Sequence, residues 1–203
     1  MMASVGTEIE EELSALIRGG ELERAATRAL EGYGPELFGF LVNLMSKESD
    51  AAEVYSQTCE DLWRGLPTFG AQCSVRTWLY VLARHAGARF RRSPWNHQGR
   101  RTGDSRLASL VDHARTGTSP WQRTAVKDRW RALRESLDDD DRVLLVLRID
   151  RALPWKDIAC VTLGEEAPDA ASNEREVERL QKQFALLKRE LRQRAREAGL
   201  IES

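Results

Sequence analysis

Cysteine is scarce and unpatterned in this chain. Three occur in 203 residues, at positions 59, 73 and 160, with no C-x-x-C spacing among them. An odd count without pairing argues against a disulfide framework and suits a reducing, cytoplasmic setting. Long apolar runs are missing too: none approaches the ~20 residues that a membrane-spanning helix needs. The opening stretch MMASVGTEIEEELSALIRGG is acidic and lacks the basic start and apolar core of a signal peptide. The expectation is therefore a cytoplasmic protein that engages no membrane. Histidine is rare, with three residues, and none stands in a Ser/His/Asp or Cys/His grouping. There is no glycine-rich phosphate loop and no metal-ligand spacing, so the expectation is no enzyme, no catalytic residue, no cofactor and no metal. Net charge is nearly absent at −1, while 41% of residues are hydrophobic. That combination excludes a disordered chain and allows one domain or two small ones.

The small net charge conceals a strong asymmetry. Residues 1–75 hold 5 basic and 13 acidic side chains. Residues 76–106 hold 8 cations, all arginine, against Asp104 alone. Residues 174–196 hold 8 cations against 4 glutamates. Arginine is the side chain best shaped for bidentate phosphate contact. An acidic lobe followed by two basic stretches points to a protein partner and a nucleic acid together.

Apolar spacing is helical throughout, and no strand alternation stands out. The spacing predicts helices over 7–18, stopped by Gly19-Gly20, and over 21–31, ending at Gly32. After a break at Gly34-Pro35, another helix is expected over 35–45, with Leu37, Phe38, Leu41, Val42, Leu44 and Met45 as its core face. Asp50 is placed as N-cap, with Glu53 completing a capping box, for a helix over 51–66. That helix buries Val54, Cys59, Leu62, Trp63 and Leu66. A helix over 75–92 turns Val75, Trp78, Leu79, Leu82, Ala86 and Phe90 inward and most of its arginines outward. Turn and linker signals fill 93–124, with a short helix at 105–114. Helices over 121–136, 140–150, 155–162 and 170–197 complete the chain, with Asp138–Asp141 read as capping and solvation. The fold class is thus all-α: two small helical domains joined by a flexible linker. By residue, these are an N-terminal helical extension over 1–34, a first domain over 35–95, a linker over 96–124 and a second domain over 125–203.

Two stretches carry the functional signal. In the second domain, Val143 to Ile149 form a buried helix, then a short helix at 155–162, a turn and a basic helix follow. This is the order of a helix-turn-helix module, winged-helix-like but without a wing. Leu180, Phe184, Leu187 and Leu191 make one apolar seam on the last helix. Arg175, Arg179, Gln181, Lys182 and Gln183 lie away from it, and such side chains suit base edges and phosphates. In the first domain, cations interleave with Trp78, Tyr80, His85 and Phe90 after a loop that contains Phe69. Aromatic rings stack on unpaired bases while arginine holds the backbone.

Together these stretches resemble regions 2 and 4 of an extracytoplasmic-function sigma factor of bacterial RNA polymerase. In the first, the resemblance rests on Asp50-Ala51-Ala52-Glu53-Val54, Gln57, Leu62-Trp63-Arg64-Gly65-Leu66, Phe69, Arg76-Thr77-Trp78-Leu79-Tyr80, Ala83-Arg84 and Arg91-Arg92. In the second it rests on Leu137, Arg142-Val143-Leu144-Leu145, Leu147-Arg148, Trp155-Lys156-Asp157-Ile158-Ala159 and Leu163-Gly164. The resemblance implies that Asp50, Glu53, Gln57 and Asp61 meet the clamp helices of the polymerase core. It implies that Phe69, Gln72, Ser74, Arg76, Tyr80, Arg84, His85 and Arg89 melt and hold the −10 element. It assigns Lys156, Arg179, Gln181, Lys182 and Gln183 to the −35 element. The implied partners are RNA polymerase core, through its clamp helices and flap, promoter DNA, and an anti-sigma factor.

The chain departs from that pattern in places. A longer segment, 165–176, stands where the family has a short turn, and Glu174, Glu176 and Glu178 would repel phosphates near the helix start. Cys59 replaces a usual aromatic residue, and Cys73 falls in the base-capture loop, where a redox switch is conceivable. Two other readings stay open at this level. One is a helix-turn-helix regulator that binds duplex DNA without polymerase; the other is a sigma-like helical adaptor.

Overall fold

Apolar residues three and four apart force each helix to bury one stripe, and the stripes fix the packing. The computed structural model describes residues 2–45, 47–92, 132–133, 136–164, 168–197 and 199–201, with side chains from residue 6 onward. In chain order the helices are α1 (Met2–Arg18), α2 (Leu22–Leu44), α3 (Glu48–Gly65), α4 (Val75–Arg92), α5 (Asp139–Leu145), α6 (Trp155–Leu163) and α7 (Ala170–Glu197). A 3-10 turn, Leu66–Thr68, follows α3, and a π-helical turn, Val146–Asp150, follows α5. The described residues contain no strand, so the all-α class holds. The chain divides into two units, Met1–Thr118 with Cys160–Pro168, and Ser119–Ala159 with Asp169–Ser203. The expected linker 96–124, the short helix at 105–114 and most of the helix at 121–136 lie outside the described residues.

In the first unit, α2 packs on α1, α3 and α4, and α3 packs on α4. The α1 helix stops where Gly19-Gly20 predicted. Gly20 takes φ 73°, the Gly20 amide donates to the Ile17 carbonyl and the Glu21 amide to the Leu16 carbonyl. That is a Schellman stop, and the left-handed residue suits glycine. The core gathers Leu13, Leu37, Phe38, Leu41, Tyr55, Leu62, Trp78 and Leu79, all nearly inaccessible to solvent. Phe38 meets Tyr55 edge to face at 5.7 Å between centroids, and Phe40 meets Tyr80 likewise at 5.2 Å, the arrangement that aromatic quadrupoles favour.

Several local expectations give way to packing. The break at Gly34-Pro35 does not form, and α2 runs through Pro35 from Leu22 to Leu44. Tyr33, Gly34, Leu37 and Phe38 are all buried there, so tertiary contacts outweigh the helix-breaking propensity of the pair. Gly34 also admits the Tyr55 hydroxyl, which would lie 2.6 Å from a Cβ at that position. Asp50 is not an N-cap and the capping box is absent: α3 starts at Glu48, and no side chain caps it. Glu48 and Asp50 instead sit in its first turn, where acids favour the helix dipole. Trp63 is not core but 54% exposed, because it stands one residue, ~100° of helical rotation, beyond the buried Leu62. Val42, similarly one residue past Leu41, reaches 38% exposure.

In the second unit, α5 is shorter than the expected 140–150 helix. The Arg151 amide donates to the Val146 carbonyl, an i+5 bond, so the helix widens into the π turn. The extra residue rotates Ile149, expected in the core, out into solvent. Asp138 caps α5 by accepting from the Asp141 amide at 2.8 Å, as the acidic run predicted. Asp169 caps α7 in the same way, accepting from the Ser172 amide at 3.0 Å. The seam also forms: Leu180, Phe184 and Leu187 are buried, and α7 packs on α5.

Candidate functional site

Steps of three and four residues place Asp50, Glu53, Gln57 and Asp61 along one face of α3. They lie half-buried at the edge of the packed core. The Gln57 amide nitrogen donates to Glu60 at 3.5 Å and to Asp61 at 3.3 Å. Asp61 also forms an ion pair with Arg89 of α4. This pair ties the acidic helix to the arginine-bearing one, a link that spacing alone did not reveal. Exposed Trp63 and Arg64 border the acidic face.

The loop between α3 and α4 is held at both ends. At its start, Phe69 stacks on Trp78 with ring centroids 4.5 Å apart and planes 22° from parallel. Trp78 fits because Gly65 has no side chain: a Cβ there would lie 2.7 Å from the indole ring. At its end, the Ser74 hydroxyl accepts from the Thr77 amide at 3.0 Å and pairs with the Thr77 hydroxyl at 2.8 Å. Between them, Ala71 takes φ 53°, a left-handed conformation that costs a residue bearing a Cβ. Gln72 is exposed, and its amide nitrogen donates to the Gly70 carbonyl at 3.2 Å.

The other residues expected at the −10 element divide into two groups. Arg84 is half-buried, and His85 and Arg89 are exposed, all on the outer side of α4. Tyr80 is 1% exposed, inside the core against Phe40; burial removes it from any surface contact. Arg76 is bidentate to Glu36 of α2, at 2.6 and 2.9 Å. Burial pulls the Arg76 guanidinium down, but the hydrogen bonds and charge of Glu36 outweigh it and hold the group above its ordinary value. Arg76 and Ser74 thus build the support of the loop. Glu10 is a participant that sequence reasoning missed. Its carboxylate accepts from the Val75 amide at 2.9 Å and the Arg76 amide at 3.0 Å. No local pattern marks it, because its partners lie 65 and 66 residues away.

In the second unit, Trp155 at the start of α6 contacts Phe184 of α7 edge to face at 5.5 Å. Arg148 covers the Trp155 ring at 4.7 Å. Lys156, Gln181 and Lys182 are exposed, with Lys182 4.0 Å from Glu178. Arg179 donates through Nε and Nη2 to Glu176, at 2.7 Å each, and through Nη1 to Gln183 at 2.8 Å. The Glu176 hydrogen bonds outweigh partial burial and raise the Arg179 pKa above its ordinary value. Gln183 in turn donates to Asp141 at 2.6 Å. The structure therefore gathers Arg179 and Gln183 into one network with two acids and leaves Lys156, Gln181 and Lys182 outside it.

The three cysteines are free thiols, with Cys59 and Cys160 buried. Among the described residues no group of three or more His, Cys, Asp or Glu side chains is placed to hold a metal ion. No helix among them is long and apolar enough to cross a membrane. Residues 29–96 match the family model for Sigma-70 region 2. The match covers most of α2 and all of α3 and α4. The match spans about a third of the chain. No curated protein matches the chain.

Proposed function

We propose that the chain is a sigma factor of the extracytoplasmic-function type, which docks on RNA polymerase core and directs the opening of its promoters. The observation that carries this reading is the region 2 match, because it falls on the helices that bear both candidate surfaces. Asp50, Glu53, Gln57 and Asp61 on α3 form the polymerase contact, and the negative charge of its three acids disfavours DNA at the same place. Phe69, Gln72, Arg84, His85 and Arg89 hold the opened −10 strand, while Ser74, Arg76 and Tyr80 support them from beneath. Unstacking a base costs a few kcal/mol, which ring stacking and arginine–phosphate contacts must offset. The α6–α7 pair acts as the helix-turn-helix on the −35 element through Lys156, Gln181, Lys182, Arg179 and Gln183. Polymerase supplies the chemistry, and the cytoplasm, where polymerase works, is the proposed location. An anti-sigma factor is the further proposed partner.

The test is association with purified core polymerase followed by transcription from a pool of promoter fragments. Retention of core and template opening are expected. Changing Gln57 and Asp61 together to Ala should lower core retention at least fivefold; normal retention would remove them from the interface. Tight duplex binding by the free protein without any polymerase association would favour the helix-turn-helix regulator instead.

A further inference from the structure

The first three free amides of α4 belong to Val75, Arg76 and Thr77, and a helix start leaves such donors without intrahelical partners. Ser74 satisfies Thr77. The other two are satisfied by Glu10, one oxygen to each, from a different helix. The Tyr33 hydroxyl donates to the same carboxylate at 2.8 Å and fixes its orientation. Burial and then this bond push the Tyr33 hydroxyl well above its ordinary value, so it stays a donor. Arg76 is meanwhile held through its side chain by Glu36. The first turn of α4 is therefore clamped by α1 and α2 as well as by Ser74 of its own loop. A strained residue such as Ala71, at φ 53°, persists only where its surroundings over-determine it.

We infer that Glu10 is a positioning residue: through the α4 amides it sets the conformation of the 69–74 loop that presents Phe69 and Gln72 to an opened strand. This gives the N-terminal helix a part in promoter opening. The functional half of the inference rests on the sigma-factor reading above; the structural half does not. Glu10→Gln replaces one acceptor oxygen with an amide that points donors at donors. Glu12→Gln is the control, since it removes an α1–α2 ion pair, Glu12 to Arg28 at 2.7 Å, without touching α4.

Two measurements on the full chain decide the matter. Amide hydrogen exchange over 69–76 is expected to quicken at least tenfold in Glu10→Gln and to stay unchanged in Glu12→Gln. With core polymerase bound, permanganate reactivity of the opened −10 thymines is expected to fall at least fivefold in Glu10→Gln while core affinity stays within twofold. Unchanged exchange overturns the inference. So does quickened exchange with normal opening, or a fall of core affinity and opening in the same proportion, which would mark a merely structural role. If the unaltered protein fails to bind polymerase, the proposed function falls, and the exchange measurement still decides whether Glu10 fixes the loop.

Discussion

At the residue scale, two alanines carry backbone that their side chains oppose. Ala71 and Ala152 take φ 53° and 52°, in the region where a Cβ costs roughly 1–2 kcal/mol. Ala152 lies between the π turn and α6. Ala152→Gly should therefore raise stability in urea by about 0.5–1 kcal/mol, the relief of strain being partly offset by the freer unfolded chain. No gain would show that the left-handed turn is not held in solution. Cys59 is the other residue with a measurable consequence. Burial pushes its thiol from an ordinary 9.0 up to about 12. The folded state thus holds a proton that the unfolded state releases, so this contribution is complete below pH 9.0 and is lost as pH rises toward about 12. Tyr55, its hydroxyl raised chiefly by burial, acts in the same direction. Melting temperature should fall above pH 9, and Cys59→Ala should flatten the slope; an unaltered slope would assign it to other groups.

At the element scale, two helix ends were legible where the continuity of α2 and the start of α3 were not. The Gly19-Gly20 stop and the Asp138 cap are local chemistry, decided within four or five residues. Asp138→Ala should cost about 1 kcal/mol, seen in a second-unit transition, because it frees the Asp141 amide. An unchanged midpoint would mean that solvent replaces the cap at no cost. The continuous α2 was not legible, because Gly34-Pro35 read as a break and the reasons to continue, Tyr33, Leu37 and Tyr55, act across the core. The same applies to α3. Its register is plain from Val54, Cys59 and Leu62, but whether Trp63 lies inside depends on where α2 and α4 end their coverage.

At the scale of the whole molecule, the charge asymmetry of the sequence maps onto separate surfaces. Acids lie along α3 and arginines along α4, with the Asp61–Arg89 pair joining them. Exposed ion pairs are worth little on their own, so removing this one should matter less than removing a strand contact. Arg84→Ala with Arg89→Ala should reduce permanganate reactivity at melted bases at least tenfold and leave core binding within threefold. Asp61→Asn breaks the same ion pair yet keeps both arginines. If it reduces opening equally per polymerase bound, the effect belongs to the ion pair and not to the DNA grip.

The amino-acid sequence by itself determined the helical class, the apolar seams, the α1 stop at Gly19-Gly20, the Asp138 cap and the division of acidic from basic stretches. These follow from periodicity and from side-chain chemistry acting over a few residues. Only the tertiary structure decided which polar groups reach the surface and which are occupied from within. Tyr80 went to the core, Arg76 to Glu36, Gln183 to Asp141, and the start of α4 to Glu10. The physical reason is that a hydrogen bond is satisfied by whichever partner folding brings near, and distance along the chain leaves no trace of that choice.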